Sequence, residues 1–120
     1  MKAINFEEKF SLFTDRWSPR VVAEMNDYQF KVIKIKDDFV WHKHDETDEV
    51  FIVIDGNMRI DFAGYSVNLK QGEMYVVPKG VNHKPSCEEE CKVLLVEPKG
   101  VVNTGGEEVN DLTAPNDVWI

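Results

Sequence analysis

Four residues of this chain have the types and the spacing of a metal site: His42, His44, Glu49 and His83. The sequence contains three histidines, and all of them belong to this set. Neutral imidazole is the commonest metal ligand in proteins. Three imidazoles and a carboxylate suit divalent iron, manganese, nickel, cobalt, copper or zinc, whereas calcium and magnesium prefer more oxygen ligands. The sequence therefore predicts one divalent transition metal ion.

Strand geometry would bring the first two histidines to one ion. Successive side chains of a β-strand point to opposite faces, so His42 and His44 would share a face. The same alternation places Val40 on that inner face, and Phe39 and Trp41 on the other face of the sheet. Trp41 is therefore interpreted as a packing residue rather than a catalytic one.

Two further strands would carry the other ligands. The β-branched run 49–54 begins with the glutamate, and Asp55-Gly56 after it is typical of a hairpin turn. A second strand is predicted over 73–77, closed by Pro78-Lys79-Gly80, with His83 three residues later. The alternation predicts a largely apolar pocket, with these side chains facing inward: Phe51, Val53, Met58, Ile60 and Phe62.

The two segments resemble the conserved motifs of the cupin superfamily. They read His42-x-His44-x4-Glu49-x6-Gly56 and Gly72-x5-Pro78-x-Gly80-x2-His83. The chain is similar to small single-domain members of the type-2 group. This resemblance implies an all-β fold, the double-stranded β-helix or jelly-roll barrel, that holds one divalent ion through the four residues.

The resemblance covers about residues 30–98 of a single domain, with an N-terminal helix and arm over 1–29 and a tail over 99–120. Two positions depart from the family pattern, and neither removes a ligand. Lys36 stands where a glycine is common, and Cys87 stands where an asparagine is common.

The regions outside the motifs are simpler. Residues 5–13 place phenylalanines at spacings of four and three, which predicts a short amphipathic helix capped by Asn5. Strands are predicted over 20–25 and 30–35. We expect the arm and the tail to contact their own barrel or a second copy, and we expect a homodimer. The glycine-bearing tail from Gly105 onward is expected to be ordered when its terminal Trp-Ile docks.

Composition excludes some functions. A net charge of −8 and a pI near 4.8 argue against a nucleic-acid partner, which would need clustered lysine and arginine. The sequence shows no apolar run of about 20 residues and no signal-peptide pattern at its start, so we expect no membrane partner and a cytoplasmic protein. A small molecule is the expected ligand.

Several other residues could contribute chemistry. Proton transfer would need an acid or base besides the ligands, and the candidates are Tyr65, Tyr75 and Glu97. A phosphate group would need fixed positive charge, for which the candidates Arg59, Lys79 and Lys84 are interpreted as solvated. Cys87 and Cys91 are interpreted as a loop thiol and a packed thiol, with a redox pair or a thiol near the metal as alternatives.

Three functions are compatible with these features. The first is a metalloenzyme with oxygenase- or isomerase-type chemistry on a small organic molecule. The second is a module that binds a small molecule through the metal without turnover. The third is a dimeric scaffold or interaction protein, because a fold alone does not select a function.

Overall fold

Antiparallel strands form most of the protein. The structure is a computed structural model that describes residues 2–105 and 112–120. In these ranges the elements are, in chain order, α1 (Phe6–Phe10), β1 (Arg20–Met25), β2 (Tyr28–Asp38), β3 (Glu49–Asp55), β4 (Asn57–Phe62), β5 (Tyr65–Lys70), β6 (Met74–Val77) and β7 (Lys84–Pro98). The all-β fold class with a short N-terminal helix is confirmed.

Strand β7 connects two groups of strands. The larger group has the order β1-β2-β7-β3-β6, and the smaller group is formed by β5, β4 and β7. The first part of β7, at 84–86, pairs with β4, whereas the part at 93–96 pairs with β3. All pairings between the strands are antiparallel, and together they form the jelly-roll barrel.

The segment Asp55-Gly56 is a corner and not a hairpin turn, so that prediction was wrong. Strand β3 pairs with β6 and β7, whereas β4 pairs with β5 and β7. Gly56 has a φ of 100°, and a Cβ there would lie 3.2 Å from the Cα of Cys91 and 3.3 Å from its Sγ. Glycine is needed because the backbone turns in the left-handed region while it passes close to β7.

The larger group of strands is apolar on both faces. Its inner face belongs to the main core, which includes Phe51 and Val53 from β3. Met58, Ile60 and Phe62 of β4 are also buried in that core, as their alternation predicted. The outer face carries a second cluster, in which Phe10 packs with neighbouring apolar side chains. A barrel that is apolar inside and partly apolar outside needs another element to cover its outer face.

The N-terminal helix supplies part of that cover. Asn5 caps it, because its side-chain oxygen accepts a hydrogen bond from the Glu8 N–H at 2.9 Å. Phe10 and Phe13 are buried in the outer cluster with Val32 and Leu94. The helix ends at Phe10, earlier than the full 5–13 segment, and Phe13 reaches the same cluster from the following turn.

Phe39 corrects the expected alternation around the histidines. Strand β2 ends at Asp38, so the strict two-residue alternation does not continue to Phe39, which is buried in the main core. Its ring stacks on Trp17 at a centroid distance of 4.6 Å. Trp41 does point away from the core and is 44% exposed.

The C-terminal residues return to the first strand. Trp119 forms a parallel bridge with Val21, and the Ile120 N–H donates to the Val21 carbonyl at 3.2 Å. Lys9 Nζ donates to the Ile120 carbonyl at 3.0 Å. The expected docking of the terminal Trp-Ile is therefore observed, while residues 106–111 of the predicted tail lie outside the described residues. In the described part of the chain, α1 is far too short to cross a membrane.

Candidate metal centre

The fold brings together the four residues of the predicted metal site. One donor atom from each of His42, His44, Glu49 and His83 lies within 4.8 Å of the other three. All four side chains are buried, and His83 is 0% exposed. Such a compact, buried set of nitrogen and oxygen donors is what a divalent transition metal requires.

A backbone bridge joins the two motifs. The His42 N–H donates to the His83 carbonyl at 3.0 Å, and the His83 N–H donates to the His42 carbonyl at 2.8 Å. His44 follows two residues later on the same side, with Lys43 exposed between them. Glu49 is the first residue of β3 and lies opposite Val77. The predicted spacing brings the four side chains together because the short extended segments that carry them meet at this bridge.

Backbone carbonyls orient two of the imidazoles. The Nδ1–H group of His42 donates to the Val40 carbonyl at 2.9 Å, and that of His83 donates to the Val81 carbonyl at 3.0 Å. In the neutral rings the proton therefore sits on Nδ1 and the Nε2 atom keeps its lone pair. This arrangement is the usual way in which proteins prepare a histidine for a metal.

The donor atoms converge on one carboxylate oxygen. Oε1 of Glu49 lies 3.3 Å from Nε2 of His83 and 3.4 Å from Nε2 of His44. Among the described residues, the His44 Nε2 atom is buried without a hydrogen-bond partner. Lone pairs that face a carboxylate at this distance repel each other unless a proton or a cation lies between them. The residues present therefore fit a bound cation.

The electrostatics favour the protonation states that a metal needs at His42 and Glu49, whereas His44 would release a proton when an ion binds. Burial, and then the neighbouring His83, lower the pKa of His42 to about 4, so its imidazole is neutral at pH 7. Burial raises the pKa of Glu49, but its contacts with His44 and His83 outweigh that effect and hold the pKa well below the ordinary value. Burial acts in the opposite sense on His44, whose pKa is nevertheless raised by Glu49.

A small apolar cavity adjoins the site. Its volume is about 20 Å³, and it is lined by His42, Glu49 and Asn103 together with apolar side chains. These apolar residues are Trp17, Ile33, Ile35, Phe39, Phe51, Pro85, Val93 and Leu95. A space of this size holds about one water molecule. The predicted apolar surroundings of the site are present, and the cavity beside it is small.

Asn103 joins the segments that cover this cavity. Its Nδ2 donates to the carbonyls of Trp17 at 3.1 Å and of Leu112 at 2.8 Å. Its Oδ1 accepts a hydrogen bond from the Ala114 N–H at 2.9 Å. The sequence interpretation did not include Asn103 in the site, because nothing in its local pattern indicates that the tail folds back over the pocket.

A buried ion pair lies beside the four ligands. Lys31 Nζ and Glu97 Oε1 are 2.8 Å apart, and their side chains are 4% and 2% exposed. Burial and the nearby charge of Glu49 raise the pKa of Glu97 to about 8, although Lys31 opposes this shift. Glu97 was a predicted acid–base candidate. Lys31 was missed, although it shares the inward alternation of Ile33 and Ile35 on β2.

The other candidates for proton transfer are placed differently. Tyr65 is 56% exposed and stacks on Phe62 at a centroid distance of 4.9 Å. Tyr75 is half-buried, packs against the main core, and lies opposite Phe51 in the register of β6 and β3. Tyr75 therefore lies on the inner face of the barrel, and Tyr65 does not line the cavity.

The three candidate phosphate-binding side chains lie away from the four ligands, paired with aspartates or exposed to solvent. Arg59 Nε lies 2.9 Å from an Asp61 oxygen, and Lys84 Nζ lies 3.5 Å from an Asp38 oxygen. Lys79 is exposed. None of these cations lines the cavity beside the four ligands.

The two cysteines are both buried in one strand. Cys87 and Cys91 lie within β7, so the expected loop position of a thiol was wrong. The three glutamates between them form a bulge in a continuous strand. Acidic runs suggest loops in a sequence, but here the flanking residues pair with β2 on both sides of the bulge.

Comparisons with known proteins agree with this architecture. A family model described as a cupin domain matches residues 30–97. A crystal structure of a cupin-2 domain containing protein from Shewanella frigidimarina NCIMB 400 is 59% identical, with a TM-score of 0.79, and the match covers 80% of this chain and 94% of that chain. Protein NMB1881 from Neisseria meningitidis is 34% identical, with a TM-score of 0.75, and the match covers 82% of this chain and 100% of that chain.

One curated relative is matched over a shorter range. The uncharacterized protein YdbB of Bacillus subtilis strain 168 is 33% identical over 64 residues. That match covers 52% of this chain and 57% of the relative, so the chain spans little more than half of the relative's length.

Proposed function

This chain belongs to the cupin domain family, and on that basis we propose that it binds one divalent transition metal ion and acts as a metalloenzyme on a small organic molecule. His42, His44, Glu49 and His83 would hold the ion. The observation that carries the proposal is the convergence of two imidazole nitrogens on Oε1 of Glu49 at 3.3 and 3.4 Å. A cation between these atoms would replace contacts that otherwise need a proton with three coordinate bonds.

The lining of the cavity defines the class of substrate. Aromatic and aliphatic side chains surround the ligands, while the neighbouring cations Arg59 and Lys84 pair with carboxylates. A substrate with an apolar body and one or two oxygen donors fits this environment, whereas a phosphorylated sugar does not. When bound, the ion would act as a Lewis acid or as a site for dioxygen.

Glu97 is the side chain best placed to move a proton. Its carboxyl group is buried beside Glu49, and its pKa of about 8 lies near neutrality, where a general acid or base is most effective. Lys31 fixes one of its oxygens, and the other oxygen, Oε2, has no hydrogen-bond partner among the described residues. We assign Glu97 the role of proton donor or acceptor in oxygenase- or isomerase-type chemistry.

A module that binds without turnover is the second candidate. The small volume of the cavity, about 20 Å³, favours it, because there is little room beside the ion for a substrate to rearrange. In that case the ion would anchor a carboxylate or a diol. A bound molecule that is released unchanged after prolonged incubation would distinguish this function from catalysis.

Metal analysis tests the proposal directly. Tag-free protein purified without chelators should contain close to one equivalent of iron, manganese, nickel, cobalt, copper or zinc by elemental mass spectrometry. The double variant His42→Ala, His83→Ala should contain none. Lys43→Ala is the matched control, because Lys43 is exposed between two of the ligands and should leave the metal content unchanged. Absence of metal from the unaltered protein, even after anaerobic incubation with these ions, would contradict the proposal.

We also propose that two copies of the chain associate through the outer face of β3 and β6. Val50 and Ile52 lie opposite Val76 and Met74 on this face, and Met74 and Val76 are 55% and 43% exposed. The double variant Met74→Ser, Val76→Ser should be a monomer by analytical ultracentrifugation, while Tyr65→Ser, at another exposed site, should remain a dimer. A monomeric unaltered protein would exclude this association.

A further inference from the structure

The two cysteines are brought together by a bulge in β7. Cys91 lies opposite Ile35 and Cys87 lies opposite Asp37, two positions away on β2. Three glutamates of β7 therefore oppose the single residue Lys36. Positions two apart on a strand are separated by at most about 6.6 Å, so the cysteine Cα atoms have about that spacing.

This spacing lies within the range compatible with a disulfide. Cα atoms of bonded cysteines are usually about 4.4 to 6.8 Å apart. Both cysteines also belong to the main core and are 6% and 0% exposed. The two side chains therefore point to the same inner side of β7 from neighbouring register positions. Each thiol also shifts the pKa of the other, because Cys91 raises the pKa of Cys87 and Cys87 lowers that of Cys91, which favours Cys91 as the thiolate.

The surroundings of the pair favour redox chemistry over a second metal site. Among the described residues, the grouping of three or more His, Cys, Asp or Glu donors contains neither cysteine. A surface groove of about 810 Å³ is lined in part by Cys87 and by Gly56, so a small oxidant in the groove lies beside the pair. Cys91 packs against Gly56, where an added Cβ would lie 3.3 Å from its Sγ.

We propose that Cys87 and Cys91 are a modification site that forms a reversible intramolecular disulfide when a peroxide enters the groove. One sulfur attacks the peroxide, the O–O bond breaks, and a sulfenic acid and one water molecule form. The second thiol then attacks the sulfenic sulfur, which creates the S–S bond and releases a second water molecule. Two electrons pass from the two thiols to hydrogen peroxide, and a dithiol reductant reverses the change.

The test uses the full chain and hydrogen peroxide. Treated protein is unfolded in denaturant, alkylated with iodoacetamide and weighed as an intact chain by mass spectrometry. We expect the loss of two hydrogen atoms and of both alkylation sites, and we expect dithiothreitol to restore both sites. Retention of both alkylation sites, separate oxygen adducts on the two cysteines, or a bond between two chains would overturn the proposal.

A second comparison does not depend on the folding of any variant. The disulfide should form faster in the folded protein than in protein unfolded by urea, because the strand bulge holds the sulfurs together. Equal or faster formation in urea would refute the role of the bulge.

Substitutions test which cysteines form the bond. Cys87→Ser and Cys91→Ser should each abolish the intramolecular bond, whereas the neighbouring Ser86→Ala should retain it. A persisting loss of two hydrogens in either cysteine variant would overturn the assignment.

Discussion

Two buried polar clusters lie side by side in the barrel, and their polar atoms find partners in different ways. Lys31 Nζ donates a hydrogen bond to Glu97 Oε1 at 2.8 Å. The cluster of His42, His44, Glu49 and His83 instead places basic nitrogens and one carboxylate so that they all face a common point. The first cluster is complementary to itself, whereas the second is complementary to a cation. The second cluster is therefore the one for which we propose a bound ion.

The same difference predicts how the clusters respond to substitution. A buried ion pair contributes little net stability, but removal of one partner leaves an uncompensated charge. A metal site contributes mainly through its ligand, since binding to the native state alone stabilises it. Substitutions in the first cluster should therefore change folding, and those in the second should change metal binding.

The largest expected effect is on metal affinity. Glu49→Gln keeps the shape of the ligand but removes its charge, and we expect a loss of more than about 100-fold in affinity. Competition with a chromophoric chelator measures this change. Glu97→Gln is the matched variant from the other cluster and should lose less than about tenfold. If the two variants weaken binding equally, the clusters are not separate in function.

The next effect is on stability. Lys31→Met leaves the Glu97 carboxylate buried without its cation at pH 9, above its pKa of about 8, and we expect the free energy of unfolding at that pH to fall by about 3–5 kcal/mol. Urea denaturation of metal-free protein measures this value. The double variant Lys31→Met, Glu97→Leu should recover most of the loss, because both charges are then removed. A double variant as unstable as the single one would mean that the ion pair itself stabilises the fold.

A pH titration should separate the clusters further. Since the pKa of His42 is lowered to about 4, the unfolded chain binds a proton between pH 6.5 and 4 while the folded chain does not. His42 alone should therefore lower the stability of metal-free protein as the pH drops through this window, by up to about 3 kcal/mol. The raised pKa values of Glu97 and His44 work in the opposite sense, so the His42 contribution is the difference between the profiles of the unaltered protein and a His42 variant.

Urea denaturation at several pH values checks this expectation. His42→Gln should remove the His42 contribution, so the variant should gain stability relative to the unaltered protein as the pH falls from 6.5 to 4. An unchanged profile in that variant would exclude His42 as its source. In the metal-loaded protein, affinity should also decrease below about pH 6.5, because protons compete with the ion for imidazole.

The smallest expected effect is on stability and metal exchange, and it comes from the tail segment that lies over the candidate metal site. Asn103→Ala removes the hydrogen bonds that tie the tail to Trp17, and we expect a loss of about 1–3 kcal/mol in stability. The variant should also exchange its metal with a chelator faster, whereas Asn116→Ala, an exposed position in the tail, should not. Unchanged exchange would mean that the tail does not control access.

The sequence predicted the metal cluster better than the ion pair for a physical reason. Three of its ligands are rare residues in short extended segments, where a two-residue spacing already fixes the face of the sheet. The position of Lys31 beside Glu97 depends on the pairing of β2 with β7, two segments far apart in the chain. A lysine that faces inward cannot be distinguished from an exposed one until its partner strand is known.

The two wrong predictions about local geometry have a related cause. Phe39 follows the end of β2, so alternation no longer determines its direction. The Asp55-Gly56 pair has the composition of a hairpin, but β7 pairs with both β3 and β4 and thereby prevents them from pairing with each other. Local composition predicts that the chain turns, and tertiary pairing determines where it continues.

The position of β7 in the sequence also has a consequence for how the chain is made. This strand pairs with β2 over a register that runs from Tyr28 opposite Pro98 to Asp38 opposite Ser86, and it also pairs with β3 and β4. During synthesis, each of those strands emerges before β7 and keeps an unpaired edge until β7 is translated. Folding is therefore dominated by late, long-range pairing and is slow, and the incomplete chain depends on protection from edge-to-edge aggregation until β7 leaves the ribosome.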